Sequence, residues 1–104
     1  MIDDAFAVAV LECVAAVPEG KVTTYGQIAW KLGRSQNARM VGRILSHAEW
    51  YGEYPCHRVV NAAGRTAPHF WDQRERLLKE GVVFRENGRV DMTRHQWQPD
   101  GEGE

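Results

Sequence analysis

The run Pro55-Cys56-His57-Arg58-Val59-Val60 sets a thiol, an imidazole and a guanidinium side by side in an apolar segment. A cysteine kept only for packing has no use for such neighbours. A thiol that must become a thiolate does, because nearby His and Arg favour its charged, nucleophilic form. In an extended strand adjacent side chains point to opposite faces, so a proton relay between Cys56 and His57 needs a bridging water or a bent backbone. The imidazole also needs a carboxylate to fix its tautomer. Glu80, in Leu78-Lys79-Glu80-Gly81-Val82, is the candidate; taken alone it reads equally as an exposed glutamate in a last helical turn. Zinc chemistry fails, because Cys13, His47, Cys56, His57, His69 and His95 include neither a Cys-x-x-Cys nor a His-x-x-x-His pair. Glycine-rich phosphate loops and paired-carboxylate motifs are missing too, and no cofactor is expected.

The elements that must position these groups can be traced along the chain. With 104 residues there is room for one small domain, expected over 1–98, followed by a disordered tail over 99–104. A first helix is predicted from about Asp4 to Ala16, with Phe6, Val10, Cys13, Val14 and Val17 on one face, which makes Cys13 a core residue. Pro18-Glu19-Gly20 ends it. Thr24-Tyr25-Gly26-Gln27 fits a capping box in which Gln27 reaches back to Thr24; Ile28, Ala29 and Leu32 continue the helix and Gly33 stops it. A third helix follows, from about Ala38 to His47. Two short helices around a Gly-containing turn make a helix-turn-helix pattern. The run 56–60 reads as buried and extended, and a helix from about Trp71 to Lys79 has Leu77 and Leu78 as core anchors. Val82-Val83-Phe84 and Arg89-Val90-Asp91-Met92 flank an Asn87-Gly88 hairpin turn. The expected fold class is α+β, a winged-helix-like domain with a helix-turn-helix and a small β element.

The net charge of −1 argues at first against nucleic acid, but its distribution does not. Residues 20–69 carry Lys21, Lys31, Arg34, Arg39, Arg43, Arg58 and Arg65 against Glu49 and Glu53. A basic middle in a nearly neutral chain is a footprint of phosphate contact, although a solvated basic face fits the charge count as well. In the third helix Ala38, Gly42 and Ser46 recur every four residues beside Arg39 and Arg43. Such a stripe admits close approach, either of another helix of the fold or of a narrow DNA minor groove. A major-groove transcription regulator is disfavoured, because that helix has few long polar side chains. No stretch is apolar enough to span a bilayer, and the acidic N-terminus does not read as a secretory signal. The two cysteines are expected to be reduced thiols in a cytoplasmic protein.

The Pro-Cys-His-Arg-Val run resembles the acceptor-cysteine signature of the O6-alkylguanine-DNA alkyltransferases. Gly20-Lys21-Val22-Thr23-Thr24-Tyr25 is similar to that family's Gly-x-Val-x-x-Tyr motif, Arg39-Met40-Val41-Gly42 to its Arg-x-Val-Gly motif, and Leu77-Leu78-Lys79-Glu80-Gly81 to its Leu-x-x-Glu-Gly motif. The resemblance covers roughly residues 5–97. It implies that Cys56 accepts an alkyl group from guanine O6, with His57 and Glu80 as its relay. It also implies a DNA-binding surface of Tyr25, Arg39, Gly42 and Arg43 in which Arg39 replaces a flipped base, and a lesion pocket near Tyr25, Leu45, Val59 and His69. Two positions depart: the family's bracing asparagine falls on Ala48 and its lesion-loop tyrosine on His69. The ending Gly88–Trp97 resembles the alkyltransferase-like proteins, in which Trp or Ala normally stands at the position of Cys56 and the lesion is passed on unrepaired. The expected partners are therefore double-stranded DNA containing O6-alkylguanine and, on the second reading, nucleotide excision repair proteins. The protein is expected to act as a monomer, without a membrane or a metal.

Overall fold

The computed structural model describes residues 4–99, so all of the expected tail except Pro99 lies outside the described residues. Helix α1 (Asp4–Ala16) buries Phe6, Ala7, Val10, Leu11 and Val14, the apolar face its spacing predicts. Cys13 is half-buried at the margin of that core rather than inside it. The first core unites α1 with Ile28 and Ala29 of α2 (Tyr25–Lys31), and with Val41 and Ile44 of α3 (Ala38–Ser46). These are the two helices of the helix-turn-helix. Arg34 N donates to Ala29 O through the turn, and Gly33, at φ +74°, supplies its left-handed residue.

Thr24 caps α2 as expected, its hydroxyl accepting from Gln27 N at 3.0 Å. The other half of the capping box does not form. The Gln27 amide instead donates to Trp97 O and its carbonyl accepts from the Gln96 side chain. Tertiary partners outcompete the local one, because the segment 95–97 lies against Val22, with Val22 N donating to His95 O and Trp97 N to Val22 O.

The sheet is the largest departure from expectation. Strand β1 (Thr23–Thr24) pairs in parallel with β2 (Val59–Val60), Thr23 opposite Val59 and Thr24 opposite Val60. Successive strand residues face opposite sides, so Val59 joins the first core while Val60 joins a second one with Val22, Leu77, Val82 and Val90. The Asn87-Gly88 hairpin does close, but its arms meet in a single antiparallel bridge, Phe84 to Val90. Helix α4 spans Gln73–Lys79, two residues shorter than expected. Leu77 anchors it, whereas Leu78 is 47% exposed and the second buried anchor is Gln73. A short helix, α5 (Met92–His95), follows the hairpin. The architecture is an α+β domain with a helix-turn-helix.

Candidate functional site

The segment expected to be extended from residue 56 is not. Cys56–Arg58 form a single 3-10 turn, with Arg58 N donating to Pro55 O at 3.0 Å, and only then does β2 begin. Pro55 suits the entry to such a turn because its own N–H is missing and its φ is preset. The bend removes the opposite-faces problem. Cys56 and His57 both line one cavity of about 660 Å³, bounded by Leu45 and Ser46 at the end of α3, by Ala48, Tyr54 and Pro55, and by Phe70 and Arg76. Glu49, Gly52 and Glu53 complete its lining.

Behind the turn stands Glu80. His57 Nε2 lies 2.7 Å from one carboxylate oxygen, Arg58 donates from Nε and from its terminal nitrogen, the latter at 2.7 Å, and Gly20 N adds a longer bond at 3.4 Å. Burial alone would raise the Glu80 carboxyl, but the hydrogen bonds from Arg58 and His57 overcome it and hold it at about 2. The same pairing raises Arg58, whose second terminal nitrogen donates to Val17 O. Arg58 therefore braces the turn from within and does not activate the thiol. Burial raises Cys56 and no neighbouring charge offsets it, so its resting form is the thiol. His57 Nδ1 is buried without a hydrogen-bond partner, which leaves it the ring's one uncommitted proton acceptor.

Tyr25 opens α2 half-buried; burial raises its phenol, and the nearby Cys56 sulfur adds to the effect. A Cβ at Gly42 would meet the Tyr25 ring at 3.8 Å, so the middle of the small-residue stripe in α3 faces α2. Arg39 and Arg43 are exposed beside it and make no ion pair among the described residues. Of the expected lesion-pocket residues, Leu45 lines the cavity and Tyr25 lies near its cysteine. Val59 does not line it, being 1% exposed in the core, because the strand that begins there turns that side chain inward. His69 is exposed outside the lining, and its neighbour Phe70 takes the place.

Gln73 is the residue that sequence reasoning missed. It is fully buried; its amide donates to His57 O at 3.0 Å and Val59 O at 2.8 Å, and its carbonyl accepts from Ala67 N at 2.7 Å. One side chain thus joins the cysteine turn, β2 and the loop leading to Phe70. Its only signal was its place four residues before Leu77, on the same helix face.

A helix-turn-helix with a Pro-Cys-His-Arg turn beside it defines a DNA-binding domain of one family. The chain belongs to that of the 6-O-methylguanine DNA methyltransferase DNA-binding domain, which matches residues 5–82. Within it, the chain is similar over most of its length to alkyltransferase-like proteins. It is 42% identical to the DNA base-flipping protein of Escherichia coli, over 91% of this chain and 76% of that one. It is 31% identical to alkyltransferase-like protein 1 of Schizosaccharomyces pombe, over 92% and 97%. The crystal structure of the S. pombe protein in complex with damaged DNA containing O6-carboxymethylguanine superposes with a TM-score of 0.82 at 32% identity, covering 95% of this chain and all of that one. The Mycobacterium tuberculosis OGT, in complex with DNA, is more distant, with a TM-score of 0.62 at 28% identity over 72% of this chain and 48% of that one.

Proposed function

We propose that this protein binds duplex DNA through α2 and α3, turns an O6-alkylguanine out of the stack and holds it in the cavity beside Cys56. The observation that carries this reading is the cavity itself: it opens at the end of α3, the helix that carries the exposed Arg39 and Arg43, and Cys56 and His57 form part of its wall. Arg39 fills the gap the base leaves, Tyr25 supports the flipped nucleotide, and Gly42 and Arg43 meet the DNA backbone. Flipping costs a few kcal/mol, least for a damaged and weakly paired base, so extrusion itself favours the lesion. The names and the damaged-DNA complex of the relatives support the same reading. Nucleotide excision repair is the pathway that receives the complex, and the protein acts as a monomer.

A second reading, alkyl transfer, is favoured by a specific arrangement: a free thiol on the cavity wall and a His57–Glu80 pair already formed. His57 Nδ1 has no hydrogen-bond partner and is the acceptor to which the thiol proton passes. The sulfur then attacks the alkyl carbon, the S–C bond forms as the O6–C bond breaks, and the guanine leaves with a proton returned to it. The alkylated cysteine is not regenerated.

Intact-mass measurement after incubation with an O6-methylguanine duplex separates the two readings. A gain of one methyl group, absent in Cys56→Ala and slowed in His57→Ala, establishes transfer. Lesion-selective binding without a mass change establishes a sensor. Arg39→Ala is expected to weaken lesion binding by about 1–3 kcal/mol in either case. Equal affinity of the wild type for damaged and undamaged duplex would remove the lesion reading.

A further inference from the structure

Beside the cavity, the loop after β2 and the hairpin turn are tied together by hydrogen bonds. The Asn61 side chain accepts from Ala63 N at 2.9 Å and Arg65 N at 2.8 Å, and the Asn87 side chain accepts from Arg89 N at 3.0 Å. Val90 N donates to Gly64 O at 2.9 Å, tying the two segments together. Their approach is so close that a Cβ at Gly64, where φ is +85°, would fall 2.7 Å from Val90 O. The two segments border a cleft of about 480 Å³ lined by Arg65, Thr66 and Pro68 from the loop and by Asn87, Gly88 and Arg89 from the hairpin turn. No carboxylate lines it, and neither arginine makes an ion pair among the described residues. Arg85 borders the adjoining cavity, but its guanidinium is committed to Asp91 at 3.2 Å.

The geometry points to this cleft as a second DNA contact, in which Arg65 and Arg89 hold backbone phosphates next to the flipped nucleotide; this rests on the DNA-binding reading above. Planar guanidinium forks match phosphate oxygens bidentately. The position selects a nucleic-acid strand over an acidic peptide. Pro68 lines the cleft and Phe70 lines the cavity beside Cys56. Two residues of chain span about 7 Å at most, so a strand with one base in the cavity has neighbouring phosphates within reach of the cleft.

The test is the salt dependence of binding to undamaged and O6-methylguanine duplexes, by fluorescence anisotropy between about 50 and 200 mM salt. R65S/R89S is expected to lower affinity for both duplexes by the same factor. The slope of log affinity against log salt should become shallower by about 2, roughly 0.9 for each phosphate no longer neutralised. Lesion preference stays at the wild-type ratio, and R65K/R89K restores the slope. A thermal melt of each variant checks that the fold is kept. An unchanged slope in R65S/R89S overturns the proposal, whether the cleft then takes an acidic peptide or nothing. The lesion reading fails independently, through equal wild-type affinity for the two duplexes, and the slopes decide the cleft in that event too.

Discussion

Replacing Glu80 with Gln asks whether charge, and not only shape, holds the Cys56–Arg58 turn. Glutamine keeps the size and one acceptor oxygen, but leaves a guanidinium that is 16% exposed with only the exposed Glu19, at 4.0 Å, as counter-ion. The magnitude follows from the carboxyl itself, held at about 2 against an ordinary value of 4.5. At about 1.4 kcal/mol per pH unit, with some loss to solvent at its open edge, this stabilises the folded state by about 2–3 kcal/mol at pH 7. That is a large share of the roughly 5–15 kcal/mol a domain has in total. The folded-state value lies below the unfolded one, so the stabilisation is complete above about pH 5.5 and is lost as pH falls from there through about 2. Urea unfolding of wild type and Glu80→Gln at a series of pH values measures it, since urea leaves the ion pairs unscreened. The gap between the two proteins should be about 2–3 kcal/mol at pH 7 and shrink to about 1 kcal/mol by pH 3. Asp91, also lowered, titrates in both proteins and cancels from the difference. A gap that stays constant from pH 7 to 3 would refute the reasoning and mean that the glutamine fails by geometry alone.

Gln73→Leu removes three hydrogen bonds, two of them buried, and strands their backbone partners, so urea unfolding should show a loss of about 3 kcal/mol; a loss under about 1 kcal/mol would contradict its bracing role. Cys56 should react slowly with iodoacetamide at pH 7 and accelerate above about pH 9, because burial keeps it a thiol. Peptide mapping separates it from Cys13, and rapid labelling of Cys56 at pH 7 would show that a cation reaches it after all. Gly42→Ala should stabilise the isolated protein by about 0.5–1 kcal/mol, since the new methyl meets the Tyr25 ring at ordinary contact distance, while weakening DNA binding. A fall in its melting temperature would mean that α3 already lies against α2 without room to spare.

Helix α1, the Thr24 cap, the Gly33 turn and α3 were legible from the residues alone, because each rests on interactions within a few positions of itself. A 3.6-residue apolar spacing, a hydroxyl before a helix and a glycine at positive φ act locally, and no distant segment had to be known. The residue types of the candidate site could be named too, Cys56, His57 and Glu80 from their motifs, and the structure brings His57 and Glu80 to 2.7 Å. What those groups do to one another was not legible. Arg58 looked like a cation for the thiol; its guanidinium turns instead to Glu80, twenty-two residues away, and to Val17 O. Gln73 was singled out by no motif and is fully buried. Val59 looked like pocket lining and lies in the core. The reason is common to all three. Which way a side chain points after Pro55 depends on a 3-10 turn fixed by the parallel β1–β2 pairing and by the Gln73 amide, both contacts between segments remote in sequence. Residue types and short-range periodicity thus determined which groups this protein carries and which helices present them. Only the packing of distant segments decided that the imidazole is held by a carboxylate, that the arginine serves the scaffold, and that the cysteine rests as a half-buried thiol.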